Sequence, residues 1–435
     1  MLQRLKLLAL LGCAIFLLSG AGQSPALAAK APRDIPAPFL YRPYYGNASV
    51  LTRSASLFDH DGPNYVNNGT FTRYDGQVFH TGGALGCQPY VNCYDGHNGY
   101  DINMIFEPVL ASAPGTVIRA SWFNPANHLD GGGLWVAIDH GMHGGIDYVT
   151  MYCHLSAILV SIGQQVPAQW QIATSGSTGS ASGPHLHFTV FQMPHWAPMD
   201  PFGWRGTQPD PNTVPDYYLW MGNPTATTQT PCLACGDNTP RNGATVIDDA
   251  SAGFSATGTW QSASGAGTIN GGMHWAATVT GAATATATWH PALPSKGWYE
   301  VGAYVDPMNS SSQWAPYTIT SLNGAASSQR TTVWLDQMHV GTFQNNFGTV
   351  STGPQWVSLG VYLFDKGAAV TLSNATGENG AQLGADALEF VPVSGGATAA
   401  PVPAPTQPPT ATPVPPTPAP TQVPGLLPPS RRGHP

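Results

Sequence analysis

Glycine and proline interrupt this chain too often for long helices to form. There are 50 glycines and 41 prolines among its 435 residues. In a helix interior, glycine costs about 1 kcal/mol and proline about 3 kcal/mol relative to alanine. Short strands separated by turns are what such a sequence permits, so the expected fold class is mainly β, and a coiled coil or helical bundle is excluded. Only 9% of the residues are charged and the net charge is −8, so a nucleic-acid backbone finds no cationic surface to bind. The length accommodates two or three domains, each with its own core.

The first residues read as an export signal. Arg4 and Lys6 precede an apolar run from Leu7 to Leu18, and Ala26-Leu27-Ala28 has the small-x-small form of a cleavage site. The apolar run is too short to span a bilayer. Leu10-Leu11-Gly12-Cys13 loosely resembles a lipoprotein box, but the apolar run continues beyond Cys13. Cleavage after Ala28 is the expected outcome, giving a secreted, extracellular protein with no membrane association after signal removal.

Composition divides the remainder. Residues 29–60 form a Pro/Tyr-rich lead-in, and 61–205 hold most of the fourteen histidines. Residues 206–243 read as a Pro/Thr/Asn-rich linker, expected to transmit little packing between its neighbours. Residues 244–393 alternate Thr, Val, Ala and Trp with Gly-rich turns, the pattern of an antiparallel sandwich. Residues 394–435 are Pro/Thr-rich and are expected to be a disordered stalk. Cys87 and Cys93 flank a short loop suited to a disulfide, and Cys232 and Cys235 form one CxxC in the linker, where a small disulfide is a blander reading than metal. Cys153 is expected to be a small buried hydrophobe.

The chemistry concentrates in three motifs. In Pro184-His185-Leu186-His187-Phe188-Thr189-Val190, strand geometry places His185 and His187 on one face and Leu186 and Phe188 on the other. Two imidazoles aimed the same way suit a shared metal, or one ligand beside a catalytic base. Gly96-His97-Asn98-Gly99-Tyr100-Asp101 offers a His and a carboxylate that a turn entering a strand would have to converge. Met151-Tyr152-Cys153-His154 is a further strand-like stretch ending in a histidine. Tyr152, two residues earlier, is expected to share the strand face of His154 and either to line the cleft or to sit in the core. Taken singly, each motif is weak.

Together, and with Ala113-Pro114-Gly115-Thr116-Val117, Val136-Ala137-Ile138-Asp139-His140-Gly141 and Gly176-Ser177-Thr178-Gly179 between them, the segment from Gly96 to Phe191 resembles the lysostaphin/LytM family of zinc endopeptidases that cleave peptidoglycan cross-links. The resemblance implies an antiparallel β catalytic domain with one zinc per chain held by His97, Asp101 and His187. It makes His154 and His185 the non-ligand catalytic pair, one accepting the proton of the attacking water and the other hydrogen-bonding the oxyanion. It places Asp139 and His140 in a structural strand and turn. His128, His143 and His195 are expected to be solvated, and His60, His80 and Asp61 are given no role. The glycine-rich loop 124–133 either walls the cleft or is a mobile surface loop.

A second resemblance covers 244–393. Val246-Ile247-Asp248-Asp249, Gly258-Thr259-Trp260, Ala287-Thr288-Trp289, Gly297-Trp298-Tyr299-Glu300-Val301, Trp356-Val357-Ser358-Leu359-Gly360 and Ala385-Asp386-Ala387-Leu388-Glu389-Phe390 are similar to the golvesin C-terminal, lyase-associated carbohydrate-binding-like module. Seven of the thirteen tryptophans lie here. A surface tryptophan could stack on wall sugars, whereas Trp260, Trp289 and Trp356 are expected in the core.

The reading is a secreted zinc metalloendopeptidase acting on peptidoglycan peptides, with a sandwich that targets it to wall polysaccharide. The alternatives are a non-catalytic LytM-type scaffold or surface-binding protein, and a same-family protease acting on Gly-rich proteins.

Overall fold

The computed structural model describes residues 35–46, 48–80, 93–221, 239–323, 327–345 and 348–393. The expected signal segment, Cys87, the linker CxxC and the Pro/Thr-rich tail lie outside these residues. Cys93 is disulfide-bonded. The chain is almost entirely β. Among the described residues, helix is limited to a turn at Val50–Arg53 and a 3-10 turn at Ile269–Gly271. No helix among the described residues is long and apolar enough to cross a membrane.

The organising element is the strand Ile146–Ile158, buried along nearly its whole length. β-branched residues and tyrosines supply nearly half of it, as suits a central strand. It pairs antiparallel with Leu134–His143 and with Leu186–Gln192, which in turn pairs with Tyr100–Ile102. Alternation then sorts the side chains. Tyr148, Tyr152, Leu186, Phe188 and Val190 enter one core with Tyr100, Ile102 and Trp220. Val149, Met151, Cys153 and Phe191 form a smaller cluster with Ala137. Cys153 is a free, buried thiol, and burial raises its pKa. Segments on both sides of the histidine-rich region join the same core: the amides of Phe39 and Leu40 donate to the Leu219 carbonyl, both at 2.9 Å.

The C-terminal half is a sandwich. A four-stranded sheet containing Gly297–Val305, Gln355–Phe364 and Leu388–Pro392 shares its core with Ala285–Trp289, Ala315–Asn323 and Ala369–Ser373. Trp289 and Trp356 are buried, at 1% and 0% exposed. Trp260 departs from expectation: it is only half-buried against this core, and its indole donates to the nearby Thr257 carbonyl.

Little packing was expected between the halves, and the structure overturns this. Trp334 and Leu335 pair with Ile158 and Ala157, so among the described residues the sandwich strands extend the first sheet into one of fifteen strands. Phe106 and Ala157 sit in the sandwich core. Thr174 Oγ1 donates to the Ser358 carbonyl at 2.7 Å, and the Asp336 amide donates to the Ser156 carbonyl at 2.8 Å. The reason is local. Ile146–Ile158 runs past Leu134–His143, whose pairing with it ends at Leu155; Gln171–Ser175 covers one edge of the remainder, and the other edge is a template for another strand.

Candidate active site

Register brings the three motifs together. His187 pairs with Asp101 on one side and with Cys153 on the other. Gly99 permits the approach of the His97–Asp101 turn, because a Cβ there would lie 2.4 Å from the Phe188 carbonyl oxygen and 3.1 Å from His187 Cε1. As a result, His97 Nε2 lies 3.2 Å from Asp101 Oδ1 and 3.1 Å from His187 Nδ1, and His187 Nδ1 lies 2.9 Å from the same carboxylate oxygen.

The opposite edge of each ring is tied down. His97 Nδ1 lies 2.8 Å from the Leu57 carbonyl, and His187 Nε2 lies 2.8 Å from Thr189 Oγ1. With Nδ1–H donating to Leu57, His97 turns its Nε2 lone pair toward the cluster. Zinc bonded at about 2.0–2.1 Å in a tetrahedron separates its ligand atoms by about 3.3 Å, so two nitrogens and a carboxylate oxygen at these spacings fit such an ion. His97, Asp101 and His187 are therefore able to hold a metal. Asp101 is held well below the usual carboxylate range: burial opposes this, but His97 and His185 outweigh it. Burial lowers His187, while His97 rises because Asp101 overcomes its burial.

His154 and His185 flank this group, with ring centroids 4.6 Å apart, and His185 Nε2 lies 3.5 Å from Asp101 Oδ1. Each donates from Nδ1 to a backbone carbonyl, His154 to Thr178 at 2.7 Å and His185 to Gly183 at 2.8 Å. Both thus present Nε2 to the same space. Burial, reinforced by the two neighbouring histidines, lowers His154 well below an ordinary histidine.

Tyr152 does not share this site. Strict alternation would give the two residues one face, but His154 has φ +60°, a left-handed conformation that costs a non-glycine residue energy and tends to persist at functional sites. The turn swings its ring toward His185 and His187, while Tyr152 stays in the core, accepting hydrogen bonds from the Ser112 amide and Thr150 Oγ1. Loop 124–133 holds this geometry, since the His154 amide donates to the Gly132 carbonyl at 2.7 Å and Gly179 donates to that of His128.

The remaining histidines divide. His195 and His80 are exposed. His140 is braced between the Pro114 carbonyl and Thr150 Oγ1, and burial pushes it down to about 4. His128 and His143, expected in solvent, are each stacked at 3.7 Å, on Trp122 and Phe39 respectively. His128 Nδ1 also lies 2.6 Å from Gln313 Oε1 of the sandwich. His60, given no role from sequence, is fully buried between Asp200, Asp210 and Asp216. Leu57 escaped notice because a carbonyl leaves no side-chain signal. Thr189 was readable, lying two residues beyond His187 on the same strand.

Comparison with known proteins agrees with this geometry. The sequence pattern of peptidase family M23 matches residues 95–201, and that of the Golvesin C-terminal domain matches residues 245–392. Peptidoglycan DD-endopeptidase ShyA of Vibrio cholerae is 43% identical over 95 residues, covering 22% of this chain and 20% of that protein. Glycyl-glycine endopeptidase ALE-1 of Staphylococcus capitis is 32% identical over 129 residues, covering 27% of this chain and 33% of its own. The solved catalytic domain of lysostaphin from Staphylococcus simulans is 34% identical, with 24% of this chain and 76% of that one covered and a TM-score of 0.21. The chain thus spans about a fifth to a third of the length of these curated relatives. Residues 95–201 constitute a peptidase family M23 domain, followed at 245–392 by a Golvesin C-terminal domain.

Proposed function

We propose that this protein is a secreted, zinc-dependent endopeptidase that hydrolyses peptide bonds in peptidoglycan cross-links. The observation that carries the reading is the 3.1 Å approach of His97 Nε2 to His187 Nδ1, closed by Asp101 Oδ1. Two ring nitrogens and a carboxylate oxygen converging in this way, each ring fixed from behind, suit a catalytic zinc with an open position. When bound, zinc there supplies Lewis acidity to a scissile carbonyl and lowers the pKa of water to about 7.

The chain's own residues do the rest. His97, Asp101 and His187 hold the ion. His154 and His185, each locked by an Nδ1–H donation, aim Nε2 at the reacting centre. A neutral ring in that position accepts the proton of the attacking water, and a protonated one donates to the oxyanion. Loop 124–133 walls the site through its bonds to His154 and Gly179, and His128 anchors that wall to the sandwich. The half-buried Trp275 and Trp298 leave aromatic surface with which the sandwich engages wall polysaccharide.

The test is mass spectrometry of fragments released from purified peptidoglycan by zinc-loaded protein. New amino termini at cross-link peptides, absent with His187→Ala, are the expected result. Cleavage of a glycine-rich protein without release from peptidoglycan would overturn the substrate, and no cleavage of either would overturn the enzyme.

A further inference from the structure

The sandwich carries a carboxylate cluster that peptide hydrolysis does not use. Asp248 and Asp249 follow the strand Thr245–Ile247, and Asp386 joins Gln382–Ala385 to Leu388–Pro392. The pairing of Ile247 with Leu388 draws these strand ends together. One oxygen from each of Asp248, Asp249 and Asp386 lies within 4.8 Å of the other two. Asp248 and Asp386 are 2% and 3% exposed.

Hydrogen bonds satisfy only part of this group. The Ala250 amide donates to Asp248 Oδ2 and the Ile269 amide to Asp386 Oδ2, both at 3.1 Å. His274 serves Asp249. Asp248 Oδ1 and Asp386 Oδ1 are buried without a hydrogen-bond partner. A buried carboxylate with an unmatched oxygen is costly, and two side by side repel each other as well. Both features vanish if a cation lies between them.

We infer that Asp248, Asp249 and Asp386 form a site for a hard divalent cation of the calcium class. Every donor is a carboxylate oxygen, which calcium prefers and which it tolerates in irregular arrangements of six to eight ligands. Zinc favours nitrogen and sulfur donors, and the nitrogen-rich cluster lies in the other domain. The ion would clasp the first strand of the sandwich to its last, at the ends opposite to where the chain enters and leaves them. The inference stands independently of the proposed hydrolysis.

Terbium tests it in the full-length protein. It replaces calcium in oxygen sites and luminesces when an excited indole is near. The Trp289 indole donates to the Asp386 carbonyl at 3.2 Å, so indole excitation should give saturable terbium emission that calcium competes away. Calcium should also raise the melting temperature. Asp248→Asn and Asp386→Asn should weaken terbium binding at least tenfold with far-UV circular dichroism unchanged, whereas His187→Ala should keep the emission. Asn variants that bind terbium like the wild type would overturn the inference. If those variants fail to fold, the wild type decides: no saturable emission, or a melting temperature indifferent to calcium, would equally overturn it.

Discussion

Two clusters in the catalytic half are built from the same two residue types and have different chemistry. Around Asp101, the rings of His97 and His187 turn nitrogens toward each other at 3.1 Å, each with its far edge occupied by a carbonyl or hydroxyl. Around His60, one ring is enclosed by carboxylates: Nε2 meets Asp200 at 3.0 Å, and Nδ1 meets Asp210 at 2.9 Å and Asp216 at 3.2 Å. The second arrangement satisfies itself with a proton. Burial works against protonation of His60, but the three carboxylates push it up to about 11, and burial raises Asp216 to about 7. In the first, two ring nitrogens and a carboxylate oxygen face one another at spacings that suit a cation between them. The direction of the nitrogens, rather than the number of acids, sets the two clusters apart.

The comparison breaks most visibly if the wrong cluster controls zinc. His187→Ala and Asp101→Ala should each reduce zinc from about one equivalent to none and abolish hydrolysis. His154→Ala and His185→Ala should keep the metal and lose about 10²–10⁴-fold in rate, the usual range for removing an acid–base group. Metal analysis beside peptide hydrolysis separates the two outcomes. If His185→Ala released the zinc while His187→Ala kept it, the strand register would be wrong.

A chain ending at Met221 sharpens the contrast between rigid and supported parts of the site. It loses the strand paired to Ile158 and the Gln313 contact of His128, while Phe106 and Ala157 lose their covering core. Hydrolysis should therefore fall several-fold on soluble peptides as well as on whole sacculi, with a lower melting temperature. Unchanged peptide hydrolysis would show that the shared sheet is irrelevant to the site.

His60→Ala should leave zinc stoichiometry intact and cost about 3–5 kcal/mol, because it strands buried carboxylates. Denaturant unfolding measures the loss. The sign with pH also follows. His60 rises from its ordinary 6.5 to about 11 on folding, so its contribution is complete below 6.5 and disappears as pH climbs through 11. Asp216, raised to about 7, likewise favours the folded state less as pH rises from the ordinary carboxylate value. Stability of the wild type should therefore decline toward alkali, and His60→Ala should flatten the decline above pH 6.5.

The shared face of His185 and His187 was legible from alternation along one strand, whereas their meeting with His97 and Asp101 followed only from the family resemblance, since neither motif records its pairing with the other. The position of His154 was only half legible: the motif was visible, but the left-handed backbone that removes it from the face of Tyr152 has no signature in a non-glycine residue. His60 was invisible because its partners are distant in sequence, Asp200 by 140 positions and Asp210 by 150. The merging of the two halves into one sheet escaped for a related reason. A polar, proline-rich connection reads as a spacer, and nothing in it records that the strands on either side share a ladder.

Zinc-edge anomalous diffraction from crystals of the full-length protein tests the central claim most directly. The account predicts one strong peak, within bonding distance of His97 Nε2, Asp101 Oδ1 and His187 Nδ1, and none beside His60. A peak coordinated by His60, Asp210 and Asp216, with nothing between His97 and His187, would contradict it.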